Sequence, residues 1–289
     1  MKFGDFEYFA PKTLEAAIDL LVSRSGEAKV IAGGQSLLPA MAYRLARPSA
    51  LVDLRYIDAL RGVEIGPTEI RLAALTRWRD IETDARLDKA HPLMRETVRH
   101  IAHYQVRSRG TVGGSLAHAD PASEFPGLAV CCDAVIEIRG ASGAREVHAS
   151  EFFVGPLSTV LGDDEIVVGV RFPAWAPGRR WAFKEFSKRA GDFALAGVTV
   201  FYELREGHID ATRVAVIGAC SRPMRLHRVE EWLTGRLPKD ETFAEAARLA
   251  SEEAEPGSDI HADADYRRAL VGALTRRALC EAAARVPTA

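Results

Sequence analysis

Basic residues are in no excess in this chain: 38 Lys and Arg stand against 40 Asp and Glu, a formal net charge of −2. A nucleic-acid or membrane-surface binder needs a basic surplus on one face, so neither partner is expected. Long apolar runs are lacking, and no stretch reaches the ~20 residues of a membrane-spanning helix. The beginning of the chain, Met1-Lys2-Phe3-Gly4-Asp5, has an acid where a secretion signal would hold its apolar run, and a cytoplasmic location is expected. Cysteine is scarce, with only Cys131, Cys132, Cys220 and Cys280 and no CxxC pair. Cys131 and Cys132 are adjacent on an expected helix and point in different directions there, which argues against a shared metal. Free buried thiols in a reducing compartment are expected, with no zinc site and no iron–sulfur cluster on this chain. The chain also lacks a GxGxxG after a strand, a GxxxxGK[ST] and a GxSxG. A Rossmann dinucleotide site, a P-loop and a hydrolase elbow are thereby disfavoured.

What is present reads as alternating elements. Thr13 is placed to cap a helix carrying Leu14, Ala17, Ile18 and Leu21, and Gly26 ends it. Lys29–Ala32 is a short apolar strand, Ser36 is placed to cap a helix through Arg44, and Leu51–Leu54 is the next strand. Strand, helix, strand at this length is a βαβ unit with a parallel pair. A strand at Ile70–Leu75 follows, then a helix capped by Thr76 and another opened by His91-Pro92. The polar stretch Gln105–Pro121 shows no period. A run of that length without structure is usually functional or disordered, and its Gly, Thr, Ser and His beside apolar flanks favour function. Ala134–Ile138 and Glu146–His148 form a hairpin, and Ile166–Phe172 is a strand closed by Pro173. A boundary is expected at Pro173–Arg180. Beyond it come strands at Trp181–Ser187, Ala196–Leu204 and Thr212–Ala219, and helices at Val229–Leu233, Glu241–Glu253 and Asp265–Arg285. That order indicates a separate α+β domain. Arg276, Arg277 and Glu281 read as the wet face of the last helix.

Two glycine-rich segments are the candidates for chemistry. In Ala32-Gly33-Gly34-Gln35-Ser36-Leu37 a strand runs into a tight turn and a helix starts at once. Free N–H groups there attract anions, the missing Cβ lets a phosphate approach, and Gln35 and Ser36 add side-chain donors. The plain alternative is a strand-to-helix turn. In Thr111-Val112-Gly113-Gly114-Ser115, flanked by Arg107, Arg109, His118 and Asp120, backbone donors are again placed to form an anion nest. Its plain alternative is a surface loop, and His118 reads as a loop histidine.

With both segments in hand the chain resembles the FAD-binding medium subunits of the molybdenum hydroxylases, the family of carbon monoxide dehydrogenase and xanthine dehydrogenase. The carrying residues are AGGQSLLP at 32–39, RLARPSALVDL at 44–54, RGTVGGSLAHADPASE at 109–124 and FKEFSKRAGDFALAGV at 183–198. The resemblance spans essentially the whole chain and implies an α+β fold. A FAD-binding region of the PCMH type would cover 1–175, with subdomains at about 1–58 and 59–175. A C-terminal domain, 176–289, would hold a three-stranded antiparallel sheet and helices. The resemblance also implies roles. Ala32, Gly33, Gly34, Gln35, Ser36 and Leu37 would form one jaw on the FAD diphosphate, and Thr111, Val112, Gly113, Gly114 and Ser115 the other. Asp120 and Glu124 would reach the sugar portion, Val167 would be an apolar contact, Lys184 would lie close to the flavin and Phe193 would cover the ring. Gln35 stands where carbon monoxide dehydrogenases resemble one another in having histidine, which points towards an organic substrate. No residue is expected to act as acid or base, and no metal is expected on this chain. The molybdenum cofactor and two [2Fe-2S] clusters would sit on a large and a small partner subunit, in a doubled heterotrimer. A self-contained flavin oxidoreductase using His118 or Lys184, and a non-catalytic assembly protein of the same fold, are the alternatives.

Overall fold

The computed structural model describes residues 3–285. The first unit consists of β1 (Glu7–Phe9), α1 (Leu14–Ser23), β2 (Ala28–Ile31), α2 (Leu37–Ala42) and β3 (Ala50–Asp53). Its sheet is parallel throughout, in the order β1-β3-β2. Thr13 caps α1, its hydroxyl accepting from the Ala16 N–H at 3.2 Å. Ala17, Ile18 and Leu21 then face Ala50 and Val52 of the sheet in one core. Strand β1 escaped the sequence reading because its three residues show no buried alternation. Helix α2 is shorter than expected, and the Ser36 side chain makes no cap bond. The chain turns at Arg44, which has φ +60°, and the Leu45 and Ala46 N–H groups fold back onto the Ala40 carbonyl.

The second unit is built on a five-stranded sheet. It contains β4 (Val63–Ile65), β5 (Glu69–Ala73), α3 (Trp78–Thr83), α4 (Leu87–Ala90), α5 (Pro92–His100), α6 (Tyr104–Arg107), α7 (Val112–His118) and α8 (Glu124–Cys131). The hairpin β6 (Val135–Gly140) and β7 (Gly143–His148) follows, then α9 (Ala149–Phe152), the short pair β8 (Phe153–Gly155) and β9 (Ser158–Thr159), and β10 (Ile166–Pro173). Its order is β4-β5-β10-β6-β7, antiparallel at every pair. Two expectations fail here. Thr76 does not cap the next helix: its hydroxyl donates to the Gly62 carbonyl at 2.8 Å, and the Arg77 N–H at the helix start is taken up by Asp80. The stretch 105–121 is not structureless, because it contains most of α6 and all of α7. Glycines erase the hydrophobic period there, yet Thr111 caps α7 by accepting from the Gly114 N–H at 3.2 Å.

The third unit consists of β11 (Arg180–Phe186), β12 (Ala196–Arg205), β13 (His208–Ile217), β14 (Met224–Arg225), α10 (His227–Leu233), α11 (Asp240–Glu253) and α12 (Ala264–Ala284). The three expected strands are present, and the two-residue β14 extends their antiparallel sheet. Alternation gives that sheet two apolar faces. Ala182, Val198, Val200 and Tyr202 pack with α10, α11 and α12. Phe183, Phe201, Ala215 and Ile217 enter the core of the second unit beside Phe125 and Phe172. Cys131, Cys132 and Cys220 are buried as expected, but Cys280 is exposed, because its position on α12 turns to solvent. No helix among the described residues is long and apolar enough to cross a membrane.

Candidate functional site

The first glycine segment leaves β2 where Ile31 pairs with Asp53 of β3, at the carboxyl edge of the parallel sheet. Open sheets of parallel strands bind ligands at that edge. Gly34 has φ +72°, a conformation that side chains with a Cβ rarely adopt. Among the described residues, the backbone N–H groups of Gly33, Gly34, Gln35 and Ser36 find no acceptor within the protein. Consecutive free N–H groups on a tight turn form an anion-binding concavity. The Gln35 side-chain amide donates one hydrogen bond to the Gly33 carbonyl at 3.1 Å, across the turn. Asp53 went unnoticed in the sequence. It is fully buried and accepts from the Tyr8 hydroxyl at 2.8 Å, the Arg55 N–H at 2.9 Å and the Arg55 guanidinium at 2.6 Å. It thereby fixes the end of β3 beside the turn. An acid ending an apolar strand, two residues before an arginine, was the available signal.

The second segment is differently used. The Val112 N–H donates to the Thr76 carbonyl at 3.0 Å and the Gly113 N–H to the Ala74 carbonyl at 2.8 Å. With Gly114 bonded to Thr111 and Ser115 to the Thr111 carbonyl, most of its donors are consumed inside the protein. Its glycines serve close approach instead. A Cβ on Gly113 would lie 2.6 Å from that of Ala74. The two segments touch: a Cβ on Gly33 would lie 2.2 Å from the Arg109 carbonyl oxygen, and one on Gly114 would lie 3.8 Å from the Ala32 methyl.

The other expected residues divide. Asp120 is half-buried and accepts from the Ala122 N–H at 2.9 Å, which turns the chain into α8. Phe193 is 72% exposed, in the turn between β11 and β12. That turn is held by two glycines of positive φ: Gly191 lies against His103, and Gly218 lies under the Ala194 carbonyl. The Gly218 N–H donates in turn to the Pro121 carbonyl at 2.8 Å, so the Phe193 turn is tied to the end of the second segment. Val167 sits apart, inside the core of the second unit opposite Ile138. Lys184, expected close to the flavin, lies on β11. Strand alternation puts its side chain on the helix-packed face of the third sheet, where it pairs with Glu281 of α12. Glu281 is accordingly an ion-pair partner, and the wet-face reading does not hold for it. Its neighbour Glu185 faces the second unit instead.

Glu185 belongs to a cluster that the sequence reading missed. Its carboxylate lies 3.4 Å from His100 Nδ1, and His100 Nε2 lies 3.7 Å from Glu96. The i, i+4 spacing of Glu96 and His100 on α5 was the signal. Burial alone would pull His100 down, but its bonds to Glu185 and Glu96 hold it up at about 9. Glu124, at the start of α8, is pushed up to about 8 by burial, with the charge of Glu185 adding to the effect. Each group holds its proton more tightly folded than unfolded. The stability each contributes is therefore full below its unfolded value and is lost as pH rises through its folded one. The window runs from the usual 4.5 to about 8 for Glu124 and from 6.5 to about 9 for His100. The melting temperature should fall as pH rises from 5 to 9, and Glu124→Gln should remove the lower part of that slope. A wild-type profile flat from pH 5 to 8 would rule out a neutral buried Glu124.

Comparison with known proteins agrees with this geometry. Residues 4–175 match the family described as the FAD binding domain in molybdopterin dehydrogenase. Residues 181–282 match the CO dehydrogenase flavoprotein C-terminal domain. The chain is 39% identical to the nicotine 6-hydroxylase medium subunit of Paenarthrobacter nicotinovorans, covering 99% of this chain and 100% of that one. It is 35% identical to the carbon monoxide dehydrogenase medium chain of Hydrogenophaga pseudoflava over 97% and 98% of the two chains. The structure of quinoline 2-oxidoreductase from Pseudomonas putida 86 superposes with a TM-score of 0.94 at 38% identity, covering 98% of this chain and 99% of that one. This chain belongs to the FAD-binding medium subunits of the molybdenum hydroxylases, an oxidoreductase family.

Proposed function

We propose that this chain is the flavin-carrying electron-transfer subunit of a heteromeric molybdenum hydroxylase. It would take electrons from iron–sulfur clusters on a small partner subunit and pass them to an external acceptor. The observation that carries this reading is the contact between the two glycine segments, with four free N–H groups on the first. The residues present fit FAD. Gly33 to Ser36 offer a diphosphate its donors, Ala32 and Leu37 flank them, and Thr111 to Ser115 close the other side at backbone distance. Asp120 and Glu124 stand at the end of the second segment for the sugar portion. Phe193 has an exposed phenyl face, which stacks on a ring but offers it no hydrogen bond. Val167 and Lys184 act one step removed, the first filling the core and the second anchoring β11 to α12. When bound, FAD supplies the ability to take up and release two electrons; the chain's task is to position and tune it.

Four cysteines without a cluster arrangement leave the iron–sulfur centres to a partner chain. The molybdenum cofactor, and with it the substrate pocket, is assigned to a large subunit, and the assembly to a doubled heterotrimer. Purification from the native host tests this. Co-elution of two further chains with molybdenum, iron and FAD is the expected result. A yellow chain that turns over substrate alone would favour a self-contained oxidoreductase. A colourless chain that cannot be loaded with FAD would favour an assembly protein.

A further inference from the structure

Exposed arginines on the helices of the third unit have carboxylate partners: Arg228 pairs with Glu252, Arg248 with Glu245 and Glu252, and Arg276 with Asp240. Around the contact of the two glycine segments the pattern differs. Arg77, Arg79 and Arg109 are exposed, and their guanidinium groups form no ion pair among the described residues. Short links bring them to one face. Arg77 bridges to Thr111, the Trp78 N–H donates to the Gly110 carbonyl at 3.2 Å, and the Arg79 guanidinium carbon lies 5.5 Å from the centre of the Tyr104 ring. Arg109 carries the carbonyl against which Gly33 packs. The acids of α3 are already engaged: Asp80 accepts from the Arg77 N–H at 3.0 Å, and Glu82 holds Arg107 at 3.1 Å. Tyr104 is half exposed, so one aromatic ring stands among three free guanidinium forks. In a chain of net charge −2 this is a local concentration of unpaired positive charge. Arginine and tyrosine together are the side chains that most often anchor a protein partner.

We propose that this face docks the acidic surface of an exchangeable electron-carrier protein, and that such a protein is the external acceptor. The proposal rests on the electron-transfer reading above and names the partner at its outward step. Charge complementarity fixes the sign of the partner's surface. The composition of the face fixes the kind of contact. Permanent subunit interfaces are large and apolar, whereas brief electron-transfer encounters are small and polar. Arginines on α3 and beside the second glycine segment, with a single exposed ring between them, match the second kind. Arg77, Arg79 and Arg109 do not line the cavity of about 340 Å³ that opens between the second and third units beside Tyr104. A broad protein face therefore fits them better than a small anion held in a pocket. Each carrier takes one electron, so two are reduced for every pair passed on, and the two protons of the reduced flavin go to water.

The test uses the complex purified from the native host, its flavin reduced by dithionite and mixed with defined acceptors. Plastocyanin of the acidic plant type is the protein probe, a basic cytochrome c its opposite, and neutral benzoquinone the small acceptor. Oxidation of the wild type by plastocyanin should slow about tenfold as ionic strength rises from about 0.01 M to about 0.5 M, because salt screens the attraction. Oxidation by the basic cytochrome should not slow. The double variant Arg77→Gln with Arg79→Gln should react with plastocyanin about tenfold more slowly at low salt and lose most of the salt dependence. Its rate with benzoquinone should match the wild type. Arg277→Gln, an exposed arginine of α12 without an ion pair among the described residues, is the control and should change neither rate. An unchanged plastocyanin rate in the double variant would overturn the proposal and leave the FAD reading intact. An equal loss with benzoquinone would overturn it as well, since the flavin itself would then be disturbed. Loss of a subunit from the double variant during purification would also overturn it, assigning the face to a permanent contact. Absence of FAD from the wild-type complex would instead defeat the reading beneath it.

Discussion

Gly33→Val is expected to yield a chain that emerges from purification with its flavin content reduced by roughly tenfold or more. The reason is contact between backbones. A Cβ at position 33 would lie 2.2 Å from the Arg109 carbonyl oxygen, 2.9 Å from its carbon and 3.0 Å from Gly110 Cα. None of these atoms belongs to a flexible side chain, so the first segment must draw away from the second. Overpacking of this kind costs about 1–3 kcal/mol even in compliant cores. Here the displacement falls on the donors proposed for the diphosphate. Gly257→Val is the control, because a Cβ there meets nothing within 4 Å and the residue lies far from either segment in sequence. Flavin absorbance per chain, with circular dichroism as a check on folding, reads the result. Normal flavin content in Gly33→Val would defeat the clasp formed by the two segments.

The second large effect is expected at Arg267. Its side chain, 7% exposed, donates to the Leu195 carbonyl at 2.8 Å, the Gly218 carbonyl at 2.6 Å and Asp259 at 2.6 Å. One guanidinium thus joins α12 to the end of the Phe193 turn and to the residue bonded to Pro121. Arg267→Met fills similar space but leaves two carbonyls without their donor. The expected loss is about 3 kcal/mol. That corresponds to a fall in melting temperature of about 6–12 °C for a chain of this size. Because the turn loses its anchor, proteolysis between 187 and 195 should also accelerate. A melting temperature within error of the wild type would show that the turn is held by other contacts.

Much of this was legible in the residues, for identifiable reasons. Helix α1 was readable because Thr13 and the apolar spacing after it agree, and the third-unit strands because their apolar runs end at turn residues. The region of α6 and α7 was not. Gly110, Gly113 and Gly114 remove the side chains that carry a period, and α7 is held by donations to Thr76 and Ala74, residues that no local pattern connects to it. The two jaws could be named from their glycines, but not their unequal roles. Only the hydrogen-bond partners separate a segment with free donors from one whose donors are already used. The pairing of Lys184 with Glu281 was not legible, because alternation along a strand assigns faces only once the neighbouring sheet is known. The same alternation brings forward Glu185, which has no motif of its own.

The contact between Gly33 and Arg109 also bears on how the chain matures. The two residues are 76 positions apart in the sequence and belong to different units. Contacts so distant form only after a large loop closes, at a cost in chain entropy. The proposed diphosphate site therefore needs both units. FAD binds a state in which both are docked, and by mass action it draws the chain towards that state. On that reading, cofactor loading reports that the two units have docked.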